Sequence, residues 1–435
     1  MSRIFDPLWL QRCAGGQWFS RPKSDIEQFC FDTRLLKPHA CFLAIKTEHN
    51  DGHEYLSRAR DLGAVAAIVE RVHSEIDLAQ LQVPNTLQAF QNIAQHYREN
   101  LTTQLIAITG SCGKTSAKEF LSLLLGKNTG KTPHNYNNNL GLPYSLLGVD
   151  EDCSRAVIEV GIGAPNEMEP LAKILQPDIA VILNVGPVHI ANFNNQVEAI
   201  IREKLQLLKY TRNYAFLHES LKPYLAYLPE GRVFWLSENL YQAQEQTFGW
   251  RIHFPEGDFD FPCCVGQKAL YTFASMIYIA LKLGEKPDVL RQRIALWKPF
   301  EQRGEWREVA GVHYFVDCYN ANPLSFGESI YQFLREAPQE ESYVWVLGSM
   351  AELGSASSYY HRQIGSQIKV RERDQFLLIG EGAEDFKIGL LSAGAKETQI
   401  HVFQKTELAR DFLDQQQPKY VFLKGSACYR LNIFL

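Results

Sequence analysis

Short apolar runs alternate along this chain with stretches of helical spacing, the rhythm of strands and helices laid down in turn. Within residues 40–71, Cys41–Ile45 predicts a strand, a polar turn follows, a helix runs from His53 to about Leu62, and Ala64–Val69 predicts a second strand. The helical period of residues 85–100 puts Leu87, Phe90, Ile93 and Tyr97 on one face and closes a first unit. At Leu105 a new pattern begins: an apolar strand, a glycine turn and a helix that stops at Gly126, where a left-handed cap is expected. Two further buried strands are expected at Ala156–Val160 and Asp178–Val185. From about Pro299 the cycle restarts, with strands near His313–Asp317, Tyr343–Leu347, Gln375–Ile379 and Lys419–Leu423. Strands separated by helices predict an α/β protein with mostly parallel sheets, here in three domains at 1–95, 96–300 and 301–435.

Composition narrows what such a fold can serve. The 435 residues carry a net charge of −5, 46% hydrophobic and 21% charged residues, which excludes a disordered chain and offers no basic surface for nucleic acid. No apolar run reaches bilayer length, and the start MSRIFDPLWLQRC lacks a basic segment followed by an apolar one, so a cytoplasmic protein without a membrane span is expected. The nine cysteines are odd in number and show no C-x-x-C spacing, which predicts reduced thiols rather than a cysteine-held metal.

The chemistry concentrates at the glycine turn, Thr109-Gly110-Ser111-Cys112-Gly113-Lys114-Thr115. Between a buried strand and a helix, such a turn aims backbone N–H groups at phosphate oxygens; Lys114 neutralises phosphate charge and the Thr115 hydroxyl can ligate Mg²⁺. It is a shortened G-x-x-x-x-G-K-S/T loop, since Ile108 stands where the first glycine would fall. Glu159 ends the second strand and His189 follows the third, so both are delivered to the sheet edge that carries the loop, where open α/β sheets bind ligands. That shared placement makes them candidate metal ligands. Lys204 borders the apolar stripe Ile200, Ile201, Leu205 and Leu208 of a predicted helix; taken alone it is a solvated helix lysine.

In order, ITGSCGKTS, HNYNNNLGLP, VIEVG, LNVGPVH and DCYNANP resemble the Mur ligase family, the ATP-dependent amide-forming enzymes of peptidoglycan synthesis. Tyr319–Pro323, Asn137-Asn138 before Leu140-Gly141-Leu142-Pro143, and the Gly348–Gly354 segment resemble the branch that joins D-alanyl-D-alanine to a UDP-N-acetylmuramoyl-tripeptide; Asp32-Thr33-Arg34 and Asp51-Gly52-His53 fit the same branch. The resemblance implies a small N-terminal α/β domain that binds the UDP moiety, a central phosphate-loop ATPase domain and a C-terminal Rossmann-like domain. It also implies ATP and two Mg²⁺ ions as cofactors, the UDP-peptide and D-Ala-D-Ala as substrates, and a monomer. By resemblance Gly110, Ser111, Gly113, Lys114, Thr115, Asn137, Asn138, Arg303, Asp317 and Asn320 hold the nucleotide, and Thr33, Arg34, Asp51 and His53 hold the substrate. Thr115, Glu159, His189 and Lys204 would ligate metal, Lys204 as a carbamate, with Lys114, His189 and Lys204 catalytic. The chain departs from the family at Ser349, Val316, Leu183 and Ala427, all outside the phosphate loop, which leaves open an enzyme joining a different amine or acyl donor, or a nucleotide binder without ligase activity.

Overall fold

The computed structural model describes residues 4–225 and 232–435, so the first three residues of the N-terminal run lie outside it. Four sheets organise the described residues. The N-terminal one has five strands; Gln28–Cys30, Ala40–Leu43, Ala66–Val69 and Ala79–Gln82 run parallel, and Gln17–Trp18 pairs antiparallel at the edge. The expected helix after the second of these opens as a 3₁₀ turn, Gly52–Tyr55, before the α-helix Leu56–Asp61, because the Asp51 side chain caps the tight turn through the His53 N–H.

Asn85 caps the helix Thr86–Asn100 by accepting from the Gln88 N–H, and the buried face includes Phe90, Ile93 and Tyr97 as the period requires. Near its end Arg98 is fully buried, donating to Leu175 O at 2.9 Å and to Asp178 Oδ2 at 2.8 Å. This cation ties the first unit to the next sheet, and one continuous apolar core joins the two.

The central sheet has six strands, all parallel, in the spatial order Val233–Leu236, Tyr214–His218, Ile179–Ile182, Gln104–Thr109, Arg155–Glu159, Thr129–Lys131. Gln104–Thr109 comes first in the chain yet lies in the middle, so the direction of winding changes beside it and opens a crevice at its C-terminal end. The third expected strand is shorter than its apolar run, Ile179–Ile182, because Leu183–Val185 turns away to meet the phosphate loop. The loop helix, Lys114–Leu125, ends at Gly126 with φ 95° and ψ −179°; the positive φ is the one a glycine supplies, but ψ lies outside the left-handed helical cap that was expected.

An antiparallel sheet of three strands, Gln242–Glu245, Trp250–Phe254 and Gly257–Phe261, packs on the opposite core of the central unit. The last sheet orders Glu305–Val309, Val312–Asp317, Tyr420–Lys424, Val344–Gly348, Gln375–Ile379 and Ile400–Phe403, parallel except for the first strand. Its register sets Asp317 beside Lys424 at the strand ends. All nine cysteines are free.

Candidate active site

The phosphate loop is fastened from the neighbouring strand end. Asn184 Oδ1 accepts from the Ser111 and Cys112 N–H groups at 3.1 and 2.9 Å, its Nδ2 donates to Cys112 O at 3.0 Å, and Ser111 Oγ donates to Gly186 O at 3.1 Å. Gly113 begins the helix at φ 78°, a left-handed conformation that a side chain would strain.

Inside this turn two amines converge on one oxygen. Lys114 Nζ donates to Gly110 O at 2.9 Å and Lys204 Nζ donates to the same carbonyl at 3.2 Å. Lys204 is 3% exposed, so it is not the solvated helix lysine its position beside an apolar stripe suggested. Burial, and then the charge of Lys114, push the Lys204 amine well below the ordinary lysine value; burial also lowers Lys114. Among the described residues neither amine has a carboxylate ion-pair partner. Two amines crowded onto one carbonyl, with Glu159 and Glu203 acting on Lys114 and Lys204 only from beyond ion-pair distance, define a place for an anion.

Beside them the Thr115 hydroxyl donates to Glu159 Oε2 at 3.0 Å, and Asn137 Nδ2 donates to Glu159 Oε1 at 2.7 Å. Thr115 and Glu159 are both buried. A buried hydroxyl and carboxylate facing each other next to a phosphate loop suit one Mg²⁺, whose remaining ligands would be phosphate and water oxygens. Among the described residues no three His, Cys, Asp or Glu side chains cluster as metal ligands, and the expected set contains only two of that kind, Glu159 and His189. His189, held at φ 55°, places Nδ1 against the Glu352 carboxylate of the last sheet's unit and lies close enough to feel the charges of Lys114 and Lys204; burial lowers its pKa while Glu352 opposes the shift.

The C-terminal unit reaches this centre. Arg303 Nη2 donates to Thr115 Oγ1 at 3.3 Å while its guanidinium lies 4.0 Å over the Tyr319 ring. Asp317 accepts from Lys424 Nζ at 2.7 Å and from Ser329 Oγ, and Lys424 Nζ also donates to Asn320 O at 3.2 Å. A cavity of about 380 Å³ runs between the two units, lined among others by Cys112, Gly113, Tyr271, Arg303, Asp317 and Lys424.

Other expected ligands are engaged locally. Asn138 Oδ1 caps the turn into the helix Gly141–Leu147 through Gly141 N at 2.8 Å, and Asn320 Oδ1 accepts from Ala321 N at 2.9 Å. In the N-terminal unit, Thr33 and Arg34 follow one parallel strand and Asp51 and His53 the next, which brings all four to one sheet edge. His53 contacts Asp51 Oδ1 through Nδ1 at 2.6 Å and accepts from the Glu70 N–H through Nε2 at 2.9 Å, so both ring nitrogens are occupied. Thr33 is buried; Arg34, forked onto Asp32, keeps its side chain 80% exposed at that edge.

Sequence reasoning missed Asn184, Lys424 and Glu352. Asn184 stood only as the neighbour of Leu183, where the chain departs from the family pattern, and the other two follow buried strands in a unit whose strand ends were read without a ligand to point at.

A phosphate loop at the winding reversal of a parallel sheet, with cations from a second α/β unit closing over it, defines a nucleotide-dependent enzyme fold. Residues 108–228 match the Mur ligase middle domain and residues 302–427 match the Mur ligase glutamate ligase domain, together more than half of the chain. The chain belongs to the Mur ligase family. It is 27% identical over 402 residues to the UDP-N-acetylmuramoyl-tripeptide–D-alanyl-D-alanine ligase of Bacillus subtilis (87% of this chain, 85% of the relative) and 28% over 418 residues to that of Escherichia coli (91% and 90%). Among solved structures, MurF from Acinetobacter baumannii superposes with a TM-score of 0.84 at 26% identity, covering 99% of this chain and 98% of that one. MurF from Thermotoga maritima in complex with ADP gives 0.76 at 25% identity, covering 94% and 96%. No described helix is long and apolar enough to cross a membrane.

Proposed function

We propose that this chain is an ATP-dependent ligase that joins D-alanyl-D-alanine to a UDP-N-acetylmuramoyl-tripeptide, forming an amide through an acyl phosphate. The observation that carries the reading is the pair of amines, Lys114 and Lys204, converging on the Gly110 carbonyl beside Thr115 and Glu159, in a chain that resembles ligases of this specificity over nearly its full length.

In this reaction the terminal carboxylate of the acyl donor attacks the γ-phosphorus of ATP, ADP leaves, and the amine of the dipeptide displaces phosphate from the acyl phosphate. The attacking and leaving oxygens are all negative, so stabilising developing charge is the main task. Lys114 neutralises the phosphate oxygens from within the loop, and Arg303 approaches the same centre from the C-terminal unit at Thr115. Thr115 and Glu159 would hold Mg²⁺, which when bound neutralises phosphate charge. Lys204, whose buried amine is biased toward the neutral form, would react with CO₂ to give a carbamate and a proton, replacing a repelling ammonium with an anionic oxygen ligand. A second cation on that carbamate would take His189 through Nε2, the ring nitrogen that Glu352 leaves free, with the Glu352 carboxylate orienting the imidazole. At the N-terminal sheet edge Arg34 is placed to pair with the diphosphate of the UDP moiety.

The test is phosphate release from ATP with the UDP-tripeptide and a panel of amines. Release that needs both the UDP-tripeptide and D-Ala-D-Ala supports the reading. Release with another amine alone would reassign the acceptor, and nucleotide binding without release under any combination would leave a binder rather than a ligase.

A further inference from the structure

Lys118 lies on the phosphate-loop helix one turn beyond Thr115, and its side chain is completely buried. A lysine in that position carries a desolvation cost that needs specific partners. Its ammonium has three: Thr132 O at 2.7 Å, His134 O at 3.1 Å and Glu119 Oε1 at 2.9 Å. Two of these belong to the segment between the strand Thr129–Lys131 and the helix Gly141–Leu147, which contains no regular element and holds His134 in the left-handed region at φ 47°. Nothing in the chemistry described above uses Lys118.

That segment is the wall behind Glu159. Thr132 Oγ1 accepts from the Glu159 N–H at 2.8 Å, Asn137 Nδ2 donates to Glu159 Oε1 at 2.7 Å, and Asn137 O accepts from the Gly161 N–H at 2.9 Å. The approach is close enough that a Cβ at Gly161 would come within 2.7 Å of Asn137 Oδ1. One helix therefore reaches Glu159 twice: directly through Thr115 Oγ1 at 3.0 Å, and indirectly through Lys118, which pins the carbonyls of the segment that orients the other carboxylate oxygen.

We infer that Lys118 is a positioning residue that sets the Thr115–Glu159 geometry for a divalent cation. Removing its ammonium leaves the buried Thr132 carbonyl and the partly buried His134 carbonyl without that donor and releases the segment, so that Asn137 no longer fixes the Glu159 carboxylate. An arginine can still bridge two carbonyls and preserves the arrangement in part. The inference rests on the reading that Thr115 and Glu159 hold the cation, and it concerns metal affinity rather than nucleotide affinity.

The experiment measures Mn²⁺ binding to the full chain with ADP by electron paramagnetic resonance, and metal-free ADP binding by calorimetry, for the wild type, Lys118→Met, Lys118→Arg and Thr132→Val. The expected result is a Mn²⁺ Kd raised about tenfold or more in Lys118→Met, the scale seen when partners behind a metal ligand are removed. Metal-free ADP affinity stays within about twofold, since the loop amides and Lys114 are untouched, and Lys118→Arg recovers part of the loss. Thr132→Val keeps the buried lysine and cuts only its link to Glu159; it should weaken Mn²⁺ in the same direction, which preserves the test if Lys118→Met does not fold. Unchanged Mn²⁺ affinity in Lys118→Met, or in Thr132→Val where the former is insoluble, overturns the inference and leaves Lys118 as a support of the fold alone. A wild-type protein that binds no Mn²⁺ with ADP overturns the cation reading itself, a separate failure.

Discussion

The two walls of the nucleotide cavity are built differently. On the central-unit side every group is fixed from within: Asn184 fastens the loop, Thr132 and Asn137 hold Glu159, and Lys114 and Lys204 share Gly110 O. On the C-terminal side the groups arrive across an interface. Arg303 stacks on Tyr319 within its own unit and meets Thr115 through a single bond at 3.3 Å, and Glu352 meets His189 only because the two units are apposed. Preorganised groups lower a barrier without rearrangement, whereas groups on a second body act only when that body is in place. The central wall should therefore govern the chemical step, and the C-terminal wall how often the site is complete.

The sharpest way to break that comparison is Lys114→Ala. It should reduce kcat by about 10³-fold, the upper range for losing one preorganised donor, with the melting temperature little changed because the side chain supports no apolar core. Full turnover would remove the loop from the chemistry. Lys204→Ala should cost about 10²-fold, and short carboxylic acids should restore part of it by placing an oxygen where the carbamate stood. Loss without rescue would mean that the amine, not a carbamate, is what the site uses.

Arg303→Ala tests the other wall and should lower kcat/KM for ATP by about 10- to 100-fold, the value of a charge-assisted hydrogen bond. Solution scattering should then show that ATP analogue and UDP-peptide compact the wild type more than this variant. Arg34→Ala should raise the KM for the UDP-peptide by about tenfold and leave the KM for ATP unchanged, the pattern of lost ground-state binding.

The smallest effect concerns the interface. Glu328, on the helix Pro323–Glu336, accepts from the Ala269 N–H of the central unit at 2.9 Å, and burial raises its pKa above the ordinary carboxylate value while the backbone N–H groups oppose. A carboxyl raised in the folded state contributes fully below its unfolded value of about 4.3 and loses that contribution as pH rises through the folded value. Glu328→Gln removes the buried charge, so its melting temperature should exceed the wild type's by about 2 °C at pH 8, and the gap should shrink toward pH 5. A gap that does not change with pH would assign the effect to packing.

What the sequence could carry follows the same division. The loop was legible because strand, glycine turn and Lys-Thr are contiguous, and Glu159 because a strand end has a fixed place in a parallel sheet. The helix Thr86–Asn100 announced itself through its period. Lys204 was not legible from its residues alone, since the helical stripe leaves it at a border and its burial is decided by Gly110, far away in the chain. His189 was placed at the right edge but its partner, Glu352, belongs to another unit, and no local pattern encodes a contact between bodies. Likewise the short strand Ile179–Ile182 ends where Asn184 is drawn to the loop, a tertiary demand that overrides the apolar run.

The central claim is that this site uses ATP to activate a carboxylate, and trapping the activated species tests it most directly. Incubation with ATP, Mg²⁺ and the UDP-tripeptide, without D-Ala-D-Ala and with hydroxylamine in its place, should yield ADP, phosphate and the UDP-tripeptide hydroxamate in the wild type, and none in Lys114→Ala. Hydroxamate formation without ATP, or its absence from a wild-type protein that binds both substrates, would contradict the account.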